Sequence, residues 1–189
     1  TNIAKSLPIE YTLLVKEHPA MRLSGWRKIS DYQKILDIPN VKIIHPSIPN
    51  EVIIPKSSLV ITISGTSGLE AAFYNKPSIV FTDVIYSNLS SVSLLQNWNN
   101  LSQMILKSLK IKVDLSELNQ YVNHIESISF PFDSWGLEQE SDDLFSFGGY
   151  LTGSKITVEG MTKFLEKNRS VFKLLVNEHI KKFDNFYYF

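Results

Sequence analysis

The sequence predicts an α/β fold, a parallel sheet flanked by helices, with a long helix at the carboxyl end. Three observations predict it. Four short apolar runs each end in polar residues, segments of helical spacing separate them, and a loop rich in glycine and hydroxyls joins the third run to a helix. A chain of 189 residues is long enough for one well-buried domain of this kind.

The residues from Asn2 to Pro8 read as the end of a helix entering a strand, so the chain, which starts at Thr1, is expected to be a piece of a longer protein. Tyr11–Lys16 is nearly continuous in apolar residues, as suits a strand buried on both faces, and it ends in Glu17-His18-Pro19. A helix follows over Lys28–Leu36. Pro39-Asn40 then turns the chain into a second strand, Val41–Ile44, which ends in His45-Pro46. The third run, Leu59–Ile63, gives way to Ser64-Gly65-Thr66-Ser67-Gly68 and a helix over Leu69–Tyr74, closed by Asn75-Lys76-Pro77. Ser78–Phe81 makes a fourth strand, ended by Thr82-Asp83.

Alternation at this spacing implies parallel strands with right-handed crossovers, and in such sheets ligands bind beyond the carboxyl ends of the strands. All four polar ends are therefore expected along one edge, around one cleft. Leu101–Leu109 and Leu115–Ile128 have helical spacing, with Asp114 as the cap of the second. Residues 1–128 are read as one domain. Residues 129–157 are read as an acidic, mobile surface connection, because residues 111–150 carry eight acidic side chains against one basic, with Pro131 and Gly148-Gly149 as breakers. From Val158 to about Lys182 the spacing predicts one long terminal helix; with the tail to Phe189 it packs on the same domain or on a missing amino-terminal half.

Composition narrows the function. Hydrophobic residues make up 43% and charged residues 20%, values of an ordinary soluble globular protein rather than a disordered one. Nineteen basic residues balance nineteen acidic ones, so no global field draws the chain to nucleic acid. Absence of cysteine removes disulfides, thiol catalysis and zinc–thiolate sites, and favours the cytoplasm. No apolar run approaches the length of a membrane span, and no signal segment opens the chain.

The strongest local signal is the loop Ser64 to Gly68 between a buried strand and a helix. Glycine lets backbone approach a ligand, a helix start offers unpaired N–H groups, and Thr66 and Ser67 add hydroxyls; together they suit phosphate. Glu70, one turn on, suits a ribose hydroxyl, or else it is the capping-box partner of Ser67. The loop is neither a P-loop, since Leu69 follows Gly68 where lysine is needed, nor a G-x-G-x-x-G. His18, kept out of a helix by Pro19, is placed to meet a phosphate or assist a leaving group, with a structural role as the alternative, which His45-Pro46 shares. Lys16 reads as strand-edge surface. Tyr86, Ser87, Ser90 and Ser91 form either a polar lip over a ligand or plain loop and cap chemistry. Glu17-His18 and His124-Ile125-Glu126 lack metal-ligand spacing, so no metal is expected. Phe186-Tyr187-Tyr188-Phe189 suits a membrane surface or a partner domain.

Lys16-Glu17-His18-Pro19, Gly65-Thr66-Ser67-Gly68-Leu69-Glu70-Ala71, Lys76-Pro77-Ser78-Ile79-Val80-Phe81 and Tyr86, in this order, resemble bacterial capsule polysaccharide biosynthesis glycosyltransferases. The likeness covers residues 10 to 125 and is to the carboxyl-terminal half of a GT-B enzyme. It implies a Rossmann-like nucleotide-binding domain over residues 1–128, binding a CMP- or UDP-linked sugar for transfer to a glycan acceptor. By resemblance, His18 with Pro19 meets the nucleotide phosphate and acts at the departing group; Ser64, Gly65, Thr66, Ser67 and Gly68 form the phosphate loop; Glu70 meets the ribose; Tyr86 lies beside the nucleotide. The donor is substrate, so no cofactor is implied. The other partners implied are the glycan acceptor and an amino-terminal GT-B half, with the full enzyme at the inner face of the membrane and no activity without that half. The same loop also resembles those of UDP-sugar enzymes, the non-hydrolysing epimerases among them, and a nucleotide-sugar epimerase or CDP-polyol phosphotransferase domain is the alternative within this fold. A non-enzymatic α/β interaction module is the reading from a different class.

Overall fold

The computed structural model describes residues 1–18, 27–145 and 156–186, which cluster into two compact units, Thr1–Ile125 and Glu126–Phe189. Pro19, Gly148-Gly149 and Tyr187-Tyr188-Phe189 lie outside the described residues.

The first unit alternates helices and strands: α1 (Asn2–Ser6), β1 (Leu13–Lys16), α2 (Ile29–Leu36), β2 (Val41–Ile44), α3 (Asn50–Ile53), β3 (Val60–Thr62), α4 (Ser67–Phe73), β4 (Ser78–Val80), β5 (Val92–Leu94), α5 (Leu101–Ser108) and α6 (Leu115–Ile128). All strand pairs are parallel, with Leu13 opposite Val41, Val60 opposite Ser78 and Ser78 opposite Val92. The four predicted strands are present, each within the span that the apolar runs mark.

The core sits around β4. Its residues alternate between the faces of the sheet, as the strand period requires. Ile79 packs with Leu95, Leu101 and Ile105 on one side; Val80 packs with Ala72, Tyr86, Leu89, Val92 and Leu118 on the other. Both side chains are fully buried, so β4 is the strand covered on both faces. β1, which the sequence predicts to be doubly buried, is only half-covered, with Leu14 43% exposed.

Two further differences from the sequence reading concern the sheet. The ladders join β1 to β2, and β3 to β4 to β5, so the described strands form two parallel sheets instead of one. The facing edges of β1 and β3 line a cleft rather than pair. β5 is an addition, hidden in the sequence because Ser87, Ser90 and Ser91 before it read as polar loop. Ser91 is in fact buried, and the Ser93 hydroxyl lies 3.0 Å from that of Ser108, so the polar groups satisfy each other inside.

The second unit holds α7 (Ser134–Phe145), α8 (Val158–Lys167) and α9 (Arg169–Phe186). The acidic stretch thus contains a helix where a mobile connection was expected. Asp133 caps it by accepting the Gly136 N–H at 2.8 Å, Lys167 pairs with Glu140 at 2.8 Å, and Phe145 packs edge-on against Phe164. The predicted long terminal helix is two helices. At Asn168 the backbone leaves the helical region (φ −96°, ψ 14°), and the buried amide donates to the Phe164 carbonyl at 3.1 Å.

Helix α4 ends as Asn75-Lys76-Pro77 predicts. Asn75 adopts φ 58°, its N–H bonds the Ala72 carbonyl, and the Lys76 N–H reaches back to Ala71. Because left-handed backbone costs most non-glycine residues about 1–2 kcal/mol, Asn75→Val should lower stability by that amount and Asn75→Gly should not. Urea unfolding of both variants checks this.

Candidate functional site

A cleft of about 820 Å³ opens between β1 and β3 in the first unit. Of the residues singled out in the sequence, His18, Gly65, Thr66, Ser67 and Glu70 line it, joined by Lys16 and Asn50. His18 and Lys16 arrive at the carboxyl end of β1, the glycine loop at that of β3, and Asn50 at the start of α3. The other two strand ends do not line it. His45 closes a tight turn, its Nδ1 2.7 Å from the Ser47 hydroxyl, and the Thr82 hydroxyl donates to the Ile63 carbonyl at 3.2 Å. Ser64 is exposed outside the lining.

A chain of hydrogen bonds crosses one wall. Lys16 Nζ donates to Asn50 Oδ1 at 2.8 Å, Asn50 Nδ2 donates to Glu70 Oε2 at 2.8 Å, and the Thr66 hydroxyl donates to Glu70 Oε1 at 2.9 Å. Chemistry fixes every direction: an ammonium can only donate and a carboxylate can only accept, so the Asn50 amide has one orientation. The capping box between Ser67 and Glu70 does not form. Thr66 stands at the N-cap position without a side-chain cap bond, and Glu70 turns to Thr66 and Asn50 instead. While its proton is committed to Glu70, Thr66 shows the cleft lone pairs only.

Gly68 and Tyr86 belong behind the loop rather than in the cleft. Tyr86 is 3% exposed, so it forms no lip over a ligand, and its hydroxyl donates to the Gly65 carbonyl at 2.5 Å. Burial, with lesser contributions from Tyr121 and Glu70, raises its pKa and keeps it the donor. A side chain at Gly68 would place its Cβ 2.7 Å from the Tyr86 hydroxyl. Gly68 is therefore glycine to admit this ring. Ser91 is buried too, the Ser87 hydroxyl accepts the Val84 N–H, and Ser90 bonds the Glu117 carboxylate, so the remaining serines do loop chemistry.

Beside His18, Glu17 accepts the Tyr32 hydroxyl at 2.6 Å and pairs with Arg27 at 2.5 Å. The tyrosine hydrogen bond is the larger cause, and the Arg27 guanidinium adds to it, in holding the Glu17 carboxyl below its usual range. Two cleft residues escaped the sequence reading. Lys16 resembled any strand-edge lysine, and no motif in the sequence marked Asn50.

The fold and cleft define an α/β protein with a polar cleft at the carboxyl ends of parallel strands. A model of the family described as capsule polysaccharide biosynthesis protein matches residues 2–103, more than half of the chain. The chain belongs to that family, and membership supports a role in capsule synthesis. No curated protein and no solved structure matches it. Among the described residues no helix is long and apolar enough to cross a membrane, and no group of three or more His, Asp or Glu side chains is placed to hold a metal ion.

Two predictions test the site's construction. Gly68→Ala should cost about 1–3 kcal/mol by overpacking Tyr86, and less in a Tyr86→Phe background, where the clashing hydroxyl is gone; a double-mutant cycle by urea unfolding measures the coupling. Since the folded pKa of Glu17 is depressed, its stabilising effect is present at neutral pH and lost as pH falls through and below the usual carboxylate range. Tyr32→Phe should therefore lower the melting temperature near pH 7, with the difference from wild type shrinking below pH 3.

Proposed function

We propose that the cleft binds a nucleotide-activated sugar, CMP- or UDP-linked, and that the chain is the donor-binding half of a GT-B glycosyltransferase of capsule synthesis. The observation that carries this reading is the gathering of an imidazole, an ammonium, two hydroxyls and a glycine loop around one cleft. Its volume lies within the range of roughly 300–1,000 Å³ typical of small-ligand sites.

In the transfer, the bond between the anomeric carbon and the phosphate oxygen breaks, and its electron pair leaves with the nucleotide. The acceptor hydroxyl attacks the same carbon and gives its proton to a base. Charge therefore grows on the departing phosphate, and groups already aimed at it lower the barrier most. His18 takes that role, with the Ser67 hydroxyl beside it. Thr66 joins on exchanging its bond to Glu70 for one to a phosphate oxygen, which frees a Glu70 oxygen for the ribose. Tyr86 acts from behind, by fixing the loop. The base and the acceptor wall belong to the other GT-B half, so this chain binds donor without turning it over. The reading places the reaction in the cytoplasm, at the inner face of the membrane.

A thermal-shift panel of CMP, CDP, UDP and GDP tests this, because a ligand at 100 times its Kd stabilises by about 2.7 kcal/mol. One cytidine or uridine nucleotide should raise the melting temperature; a flat response to all four overturns the reading. His18→Ala should then weaken that nucleotide by roughly ten- to a hundredfold, the worth of a charge-assisted hydrogen bond.

A further inference from the structure

Lys16 differs from the other charged groups of the carboxyl-end wall in one respect. Glu17 is paired with Arg27, and Glu70 is shared between Asn50 and Thr66. Lys16, by contrast, is bonded to the neutral amide of Asn50, and among the described residues no carboxylate lies within ion-pair distance of it. Asn50 thus stands between the ammonium and the Glu70 carboxylate. It links the two without letting them meet. The half-buried lysine keeps two of its three donors for the cleft. The second lysine of the lining, Lys56, precedes β3 and lies toward the amino ends of the strands, away from the glycine loop.

We infer that Lys16 is the cation that receives the phosphate of the bound nucleotide, and that Asn50 is a positioning residue, its amide oriented by Glu70 so that its oxygen holds the ammonium in the cleft. This deepens the nucleotide reading and rests on it. The arrangement gives Glu70 a task with no ligand present: its two oxygens fix the Thr66 hydroxyl and the Asn50 amide, and through the amide the lysine. A direct Lys16–Glu70 pair would cancel the charge that an entering anion needs. Placing an amide between them preserves it.

The test uses whichever of the four nucleotides stabilises the wild-type chain, with affinity measured by calorimetry at several salt concentrations. Lys16→Gln should weaken binding ten- to a hundredfold and flatten its salt dependence, since a charge contact is screened by salt and a packing contact is not. Lys16→Arg should recover part of the loss. Asn50→Ala, which removes the oxygen that holds the ammonium, should weaken binding in the wild type and much less in the Lys16→Gln background. Should glutamine disturb the strand, seen as a lowered melting temperature, Lys16→Met is the second neutral variant. Wild-type binding with unchanged affinity in the neutral variant overturns the role of Lys16 and leaves the nucleotide reading standing. So does a loss of affinity whose salt dependence matches the wild type. A wild-type chain that binds none of the four overturns both.

Discussion

The hydroxyl of Tyr86 meets the Gly65 carbonyl from inside the core, through a helix turn whose Gly68 has no side chain to block the ring. A phenol buried without a partner would cost about 1–3 kcal/mol, so this bond is needed by the core as much as by the loop. It fixes the loop's inner side, while the Gly65 N–H is held by the Thr62 hydroxyl at 3.1 Å. With both polar groups of Gly65 tied to β3 and the core, Thr66 and Ser67 lie on the cleft side. The core cluster around Val80 and the chemistry at the sheet edge thus share one side chain. A change in the packing of Tyr86 must reach the cleft, because ring, Gly68 and loop are in direct contact.

On that fixed loop rests the second constraint, the division of Glu70 between Thr66 and Asn50. A carboxylate at a ligand site repels phosphate unless its charge is spread over donors. Here two neutral donors from different elements do so, and they tie the loop after β3 to α3 and, through Lys16, to β1. No ladder joins the two sheets among the described strands, and this polar chain links their facing edges. It holds the wall together while leaving the space between the strands open to a ligand.

Much of this was legible in the sequence. The apolar runs mark the strands, Asn75-Lys76-Pro77 marks the end of α4, and the rule that ligands meet parallel sheets at their carboxyl ends brings His18 and the Gly65 loop to one place. What was not legible depends on partners distant in the chain. The burial of β1 was overestimated because an apolar run does not say whether a neighbour covers both its edges and faces. The serines around β5 read as loop because their mutual satisfaction, Ser93 with Ser108, is a tertiary fact. Gly68 reads the same whether a glycine admits a ligand or an aromatic ring; only the position of Tyr86 decides. Asn50 lies 34 residues from Lys16 and 20 from Glu70, with no local pattern to join them. The acidic stretch read as mobile because its neutralising contact, Lys167, comes 27 positions after Glu140.

The balance of nineteen basic and nineteen acidic residues rules out a long-range field, but it leaves the local one undetermined. A screened interaction fades over about 8–10 Å, so an anion in the cleft senses only the wall around it. On that wall the Arg27 guanidinium compensates Glu17, while Glu70 keeps its charge with both oxygens occupied by neutral donors. Glu10, which precedes β1, lies toward the amino ends of the strands. Among the described residues, the Lys16 ammonium at the carboxyl end has a neutral partner and no ion pair. A neutral chain can therefore present an unpaired ammonium to an anion where the strands end, through the placing of its partners rather than through an excess of basic residues. The same pairing explains why segment charges alone pointed to the acidic second unit and passed over this wall.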